Sequence, residues 1–411
     1  MNLTHHDIVV LFLSIGIILL ISRILAETGR RFGLPVVMGE LIVGILLGPT
    51  VFGSLAPDLQ QQLFPTSGSG AVALDGIVQL SVVFLLFVAG LEVQLPIVLR
   101  QGRLALFTSF FSLVIPFALG FWITWHFPEW MGYHAGPSRL VYALFMGTAL
   151  AISALPVIAR ILMDLNLYKT RIGMLIMAAA MFSDLAGWLI FSVVLALLEN
   201  RGVGTDLGLT ILYIFLFGIL MLTVGRKLLN RFVPFAQHKL SWPGGILAFA
   251  MGFCLICAAF TASVGVHAIL GAFIFGIALG DCVHLHGRAR EIIHQFITNV
   301  FAPLFFVSIG LKVNFLAHFE PVTVLLVLVL ATAGKLVGST GGAWLGGMDF
   351  RSALAVGFGM NARGAMEIIL GTLAFRAGLI TPEIFVALVV MALLTSLSSG
   401  PLIKATLSGK N

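Results

Sequence analysis

The sequence predicts an all-α integral membrane protein with about thirteen transmembrane helices, built as two inverted six-helix repeats with crossed, broken helices. Three observations predict it. Apolar residues make up 59% of the chain and charged residues 10%, where soluble domains carry about 25% charged residues; mean hydropathy is +1.09. The apolar runs have the length of spanning helices, about 20 residues each, and lack the alternating pattern of an outer-membrane barrel. Finally, glycine motifs of the first half return in the second.

In chain order the spans are expected at 8–25, 35–51, 75–91, 103–126, 139–162, 170–198, 207–226, 243–262, 265–281, 299–312, 321–346, 350–375 and 382–405. The leader before the first span has no Lys or Arg, and Arg30 and Arg31 follow that span. This polarity is the reverse of a secretory signal and predicts an uncleaved first helix with its N-terminus outside. Pro57, Pro65 and Gly68 make 52–74 an expected irregular loop, and the polar piece 284–298 an expected amphipathic connector. An odd number of spans puts the termini on opposite faces. The inner loops and tail then hold sixteen Lys and Arg residues, Arg103, Arg171, Arg226 and Lys404 among them, against Arg139, Arg201, Lys312 and Arg376 outside. That asymmetry predicts a cell-membrane protein with a cytoplasmic C-terminus. The net charge of +6 reflects loop placement and gives no reason to expect a nucleic-acid partner; the lipid bilayer is the expected surrounding. Cys254 and Cys257 form a CxxC inside an apolar run with no second ligand pair, so neither a disulfide framework nor a metal centre is expected.

Residues Gly39–Gly48 (GELIVGILLG) match Gly271–Gly280 (GAFIFGIALG) at six of ten positions, and GLEVQ at 90–94 matches GLKVN at 310–314. Both pairs are seven spans apart, and an odd offset reverses orientation in the membrane. The expected organisation is a first inverted repeat over 1–206, a linker span and cytoplasmic loop over 207–242, a second repeat over 243–411, and no soluble regulatory domain. Inverted repeats are typical of secondary transporters, whose sites lie near the midplane between broken helices. Pro156, which lacks an N–H, is expected to break the fifth span and free a carbonyl near residue 152. Gly359, Asn361 and Gly364 are expected to break the twelfth.

Asp184 lies mid-span in LIMAAAMFSDLAGW. A carboxylate at that depth costs about 2.5–3.5 kcal/mol on insertion scales, which marks a functional candidate. With Ser183, Thr148, Ser153 and freed carbonyls it offers the oxygen donors of a monovalent cation site, and it can bind a proton instead. Lys335 is expected either to pair permanently with Asp184 or to release it when a cation arrives. Arg363 and Glu367 have the i, i+4 spacing of one helix face and are expected to form a structural ion pair. Glu40, one turn inside the second span, is expected to pair with Arg363 or to gate access. His267 is expected to be a hydrogen-bonded core histidine.

Several segments, in order, are similar to those of the monovalent cation:proton antiporter-2 family: PVVMGE at 35–40, FLLFVAGLE at 84–92, ALPVIAR at 154–160, FFVSIG at 305–310 and NARGAME at 361–367. This family includes bacterial sodium/proton antiporters, glutathione-gated potassium efflux proteins and plant cation/proton exchangers. The resemblance runs over nearly the whole chain. It implies a thirteen-helix homodimer in which a core domain moves against a dimerisation domain like an elevator. It also gives Asp184 the role of the family's ion-binding aspartate and Lys335 that of the lysine paired with its acidic site. Electrogenic members carry two adjacent aspartates; here the first position is Ser183, which implies electroneutral exchange unless Lys335 carries a second proton. Potassium efflux relatives usually add a cytoplasmic nucleotide-binding domain, whereas here only a short tail to Asn411 follows the last span.

The leading expectation is therefore a secondary active Na⁺ or K⁺/H⁺ antiporter, with no cofactor beyond the transported ions. A potassium efflux protein with a separate regulator, a non-transporting receptor, and an exporter of cationic small molecules remain alternatives. A channel would need a filter run, and an enzyme would need a phosphate loop or nucleophile motif; neither is present in the sequence.

Overall fold

The computed structural model describes residues 3–31, 36–93, 103–133, 138–168, 170–199, 207–239, 241–264, 267–282 and 284–408. Among the described residues all regular structure is helical. Pro35, Gln94 and Arg201 lie outside them, as do Arg100, Lys169 and Lys410 of the sixteen inner Lys and Arg residues. In chain order the helices are α1 (His5–Arg31), α2 (Val36–Leu47), α3 (Phe52–Leu55), α4 (Pro57–Leu63), α5 (Ser69–Glu92), α6 (Arg103–His126), α7 (Arg139–Ala151), α8 (Leu155–Asp164), α9 (Arg171–Glu199) and α10 (Leu207–Leu220). They continue as α11 (Arg226–Lys239), α12 (Gly244–Ser263), α13 (Ala268–Gly280), α14 (Gly287–Phe296), α15 (Ala302–Lys312), α16 (Pro321–Leu345), α17 (Phe350–Met360), α18 (Ala365–Arg376) and α19 (Pro382–Ser408).

Nine described helical segments are long and apolar enough to cross a membrane, and the α17–α18 pair, bent by 45°, makes a tenth. Two of the expected spans are shorter: the fifth is interrupted after Ala151, and the ninth is α13. The seventh is α10, carried on by a π-helical turn. Three boundaries also differ from expectation. The 52–74 loop contains α3 and α4 and the first turn of α5. Helix α11 continues α10 through the π turn at Met221–Gly225 where a loop was expected. The 284–298 connector is α14, joined to α15 through a second π turn, Ile297–Phe301. In both cases a π turn absorbs the change in periodicity between an amphipathic and an apolar stretch, so the backbone hydrogen bonds need not stop.

The chain forms two compact units, and they are not the sequence halves. One comprises Met1–Gln94 and Thr205–Ala317, the other Leu95–Gly204 and His318–Asn411. Each draws on both repeats. In the first unit a Cβ at Gly310 would fall on the backbone of Gly44, and one at Gly276 on Phe87 and Gly90. Gly44 matches Gly276 in the sequence repeat, and Gly310 matches Gly90, so α2 meets α15 as α13 meets α5. In the second unit Gly334, Gly338 and Gly342, four residues apart on α16, lie against Pro116, Phe111 and Phe107 of α6. Small residues at this spacing let two membrane helices approach backbone to backbone.

Candidate functional site

Two helices of the second unit stop partway along their length. α7 ends at Ala151 and α8 starts at Leu155; α17 ends at Met360 and α18 starts at Ala365. Pro156 takes one of the first two positions of α8, where its missing N–H breaks no helical bond. Ile152, near which a free carbonyl was expected, caps α7 in extended conformation. Gly359 and Asn361 lie on either side of the α17 end, and Gly364 caps α18. The two breaks are tied together: Ala154 N–H donates to Ala362 O at 3.1 Å, and Ser153 Oγ donates to Met360 O at 2.9 Å. A Cβ at Gly364 would strike Val157, so glycine permits this crossing.

A helix that stops leaves its last carbonyls without intrahelical partners. Two cations take those of α7. Arg363 Nη1 donates to Ala149 O at 2.9 Å and Ile152 O at 3.2 Å, and Nη2 donates to Leu150 O at 2.6 Å and Ala331 O at 3.4 Å. Lys335 Nζ donates to Ala151 O and, at 3.1 Å, to Ser112 O. Positive charge at the C-terminal end of a helix is favoured by the backbone dipoles. Glu367 stands in the first turn of α18, the end that favours negative charge, with Oε1 3.3 Å from Arg363 Nη1. The expected ion pair is present, but not along one helix face. Arg363 lies in the break, so the contact spans the start of α18. Ser396 Oγ donates to Arg363 O and holds the break from α19.

Asp184 and Ser183 lie on α9, both buried. Gly187 of α9 meets Ile152 in one break, and Ile176 of α9 meets Gly359 beside the other. The two site residues lie between these contacts along the helix. Asp184 interacts electrostatically with Lys335. Thr148 Oγ1 donates to Leu144 O at 2.7 Å, which leaves its oxygen able to accept or coordinate. Ser183 Oγ and Asn361 Oδ1 are buried without a hydrogen-bond partner among the described residues. Carboxylate, hydroxyl and amide oxygens are the donors a hard cation takes. Asn361 was read in the sequence only as a helix breaker, while Ser153 gives its proton to Met360 O. The polar run Thr395–Ser399 in an apolar span was a legible sign of Ser396; of the α7 carbonyls, only the one near residue 152 had a sign, in Pro156.

Glu40 lies in the first unit on α2, 2% exposed, with Oε2 lacking a hydrogen-bond partner among the described residues. The hydrogen-bond partners of Arg363 all belong to the second unit. His267 caps α13, its Nδ1 accepting from Ile269 N–H at 3.4 Å.

Residues 16–409 match the family described as sodium/hydrogen exchanger, transmembrane. The Na(+)/H(+) antiporter NhaS4 of Synechocystis is 30% identical over 402 residues, 97% of each chain. Cation/H(+) antiporter 17 of Arabidopsis thaliana is 32% identical over 98% of this chain, which spans only 49% of that protein. The Na(+)/H(+)-K(+) antiporter GerN of Bacillus cereus is 28% identical over 97% of each chain. Among solved structures, the sodium proton antiporter MjNhaP1 from Methanocaldococcus jannaschii at pH 8 superposes with a TM-score of 0.64 over 98% of both chains at 16% identity, a likeness of fold.

Proposed function

The chain belongs to the sodium/hydrogen exchanger family, and we propose that it is a secondary active antiporter in which a monovalent cation, Na⁺ or K⁺, and a proton compete for Asp184. One observation carries this reading: a buried carboxylate on α9 packed against two broken helices, whose nearby positive charges are already held by backbone carbonyls. Arg363 and Lys335 balance the end of α7 and so permit the break. Asp184, with Ser183, Thr148 and Asn361 as neutral oxygen donors, binds the ion. A bound cation favours the ionised carboxylate and protonation releases the cation, so the two occupants exclude each other.

One ionisable ligand carries one charge in either direction, which supports electroneutral exchange. All the site residues except Glu40 lie in the second compact unit, which supports alternating access by movement of that unit as a body. The working form is proposed as a homodimer in the cell membrane with its C-terminus cytoplasmic.

The test is proton flux in proteoliposomes, read with a pH-sensitive dye as Na⁺, Li⁺ and K⁺ are titrated. Competition predicts that the apparent KM for the cation rises about tenfold per unit fall in pH once Asp184 is mostly protonated. Asp184→Asn is expected to abolish cation-triggered flux while remaining folded. Robust exchange by that variant would overturn the assignment.

A further inference from the structure

A groove in the second unit, between the starts of α6 and α9, plays no part in the exchange scheme. Its floor is made of small buried residues, Ala105, Ser109 and Ala178, and its walls of Phe107, Phe110 and Phe182. The cavity measures about 410 Å³, within the roughly 300–1,000 Å³ range of small-ligand pockets. Phe110 is 54% exposed, so the groove opens to the surface of the unit.

One end of the groove is cationic. Arg103 is the first residue of α6; it is exposed, and its guanidinium lies 5.3 Å from the centroid of Phe107. Arg171, also exposed, is the first residue of α9. Their neighbours Leu104 and Ile172 both pack against the apolar cluster that contains Ala105 of α6 and Leu175 of α9. Neither arginine forms an ion pair among the described residues. Asp164 pairs with Arg160, and Asp349 caps α17 at the Ser352 N–H.

We propose that this groove binds one anionic phospholipid, with an acyl chain along the phenylalanine walls and the phosphate at Arg103 and Arg171. Lipid covers any apolar surface at membrane depth. This surface is distinguished by a small-residue floor, which makes room for a chain, and by two guanidinium groups at its mouth, suited to bidentate contact with phosphate oxygens. Apart from Ser109 the lining is apolar, so it offers a polar ligand little beyond its mouth.

The test is native mass spectrometry of the purified full chain with phosphatidylglycerol or phosphatidylcholine added. Wild type is expected to retain one phosphatidylglycerol in preference to phosphatidylcholine. Arg103→Gln/Arg171→Gln, at exposed positions, is expected to weaken retention roughly thirtyfold, the factor for losing two cation contacts at a leaflet surface. Ser109→Leu, which fills the floor, is expected to weaken retention with both arginines intact. Equal retention of the two lipids by wild type, or undiminished retention by the double variant, would overturn the site. Full displacement by inorganic phosphate would also overturn it, because the acyl groove would then contribute nothing. The readout is binding without transport, so its failure would leave the antiport reading untouched.

Discussion

The two compact units bury different things. The first is held by helices that touch through glycine, with Gly44 on Gly310 and Gly276 on Gly90, and it buries the carboxylates of Glu40 and of Asp281, the latter paired with Arg226. The second buries Asp184, Lys335, Arg363 and Glu367 around two interrupted helices. Close backbone packing is satisfied by shape alone. A buried charge persists only when paired and hydrogen-bonded. Substitution should therefore fail by steric conflict in the first unit and by electrostatics in the second. The unit proposed to carry the chemistry is the one that tolerates broken backbone, because its cations supply what the missing helical turns do not.

Removing a cation from the second unit should have the largest effect. Arg363→Gln leaves Glu367 buried without its partner and strands carbonyls of α7, with an expected loss of about 3–5 kcal/mol, read as a fall in the unfolding midpoint in detergent. Adding Glu367→Gln should recover part of that loss. A double variant no more stable than the single would show that the pair does not hold the break.

A smaller loss is expected from Gly310→Ala in the first unit, about 1–3 kcal/mol, because the new methyl overpacks against the Gly44 backbone. Gly371→Ala in the second unit is the matched control. Its Cβ would meet Phe385 at an ordinary 3.5 Å, and alanine is the better helix former by about 1 kcal/mol, so stability should hold or rise slightly. Equal losses at the two positions would remove the steric side of the comparison. The last effect is read on function: Ser183→Asp adds a carboxylate that itself costs about 2.5–3.5 kcal/mol at that depth on insertion scales, and its informative readout is transport. A second carboxylate beside Asp184 should make exchange respond to an imposed membrane potential. An unchanged rate under that potential would count against the electroneutral reading.

Helical class, the approximate span positions and both breaks were legible because they depend on local properties. Hydropathy over a window marks a span, a proline or glycine cluster marks an interruption, and one carboxylate in an apolar run is conspicuous at Asp184. The sequence repeat also named the glycines that make matching contacts in the first unit. The lengths of α11 and α14 were misread because a π turn lets an amphipathic segment continue an apolar one, and hydropathy alone sees a boundary there.

What the sequence by itself determined, then, was a membrane-embedded helical chain of the exchanger family with an acid at depth and two places where helices stop. The tertiary structure alone decided which segments share a unit and what the buried cations do. Arg363 reaches carbonyls 211 to 214 residues away, and Lys335 reaches one 184 residues away. Pro156 pointed to a free carbonyl near residue 152, but every residue has a carbonyl, so no side-chain pattern announces which charge will meet it. Only the crossing of the two breaks brings those oxygens to the charges that meet them.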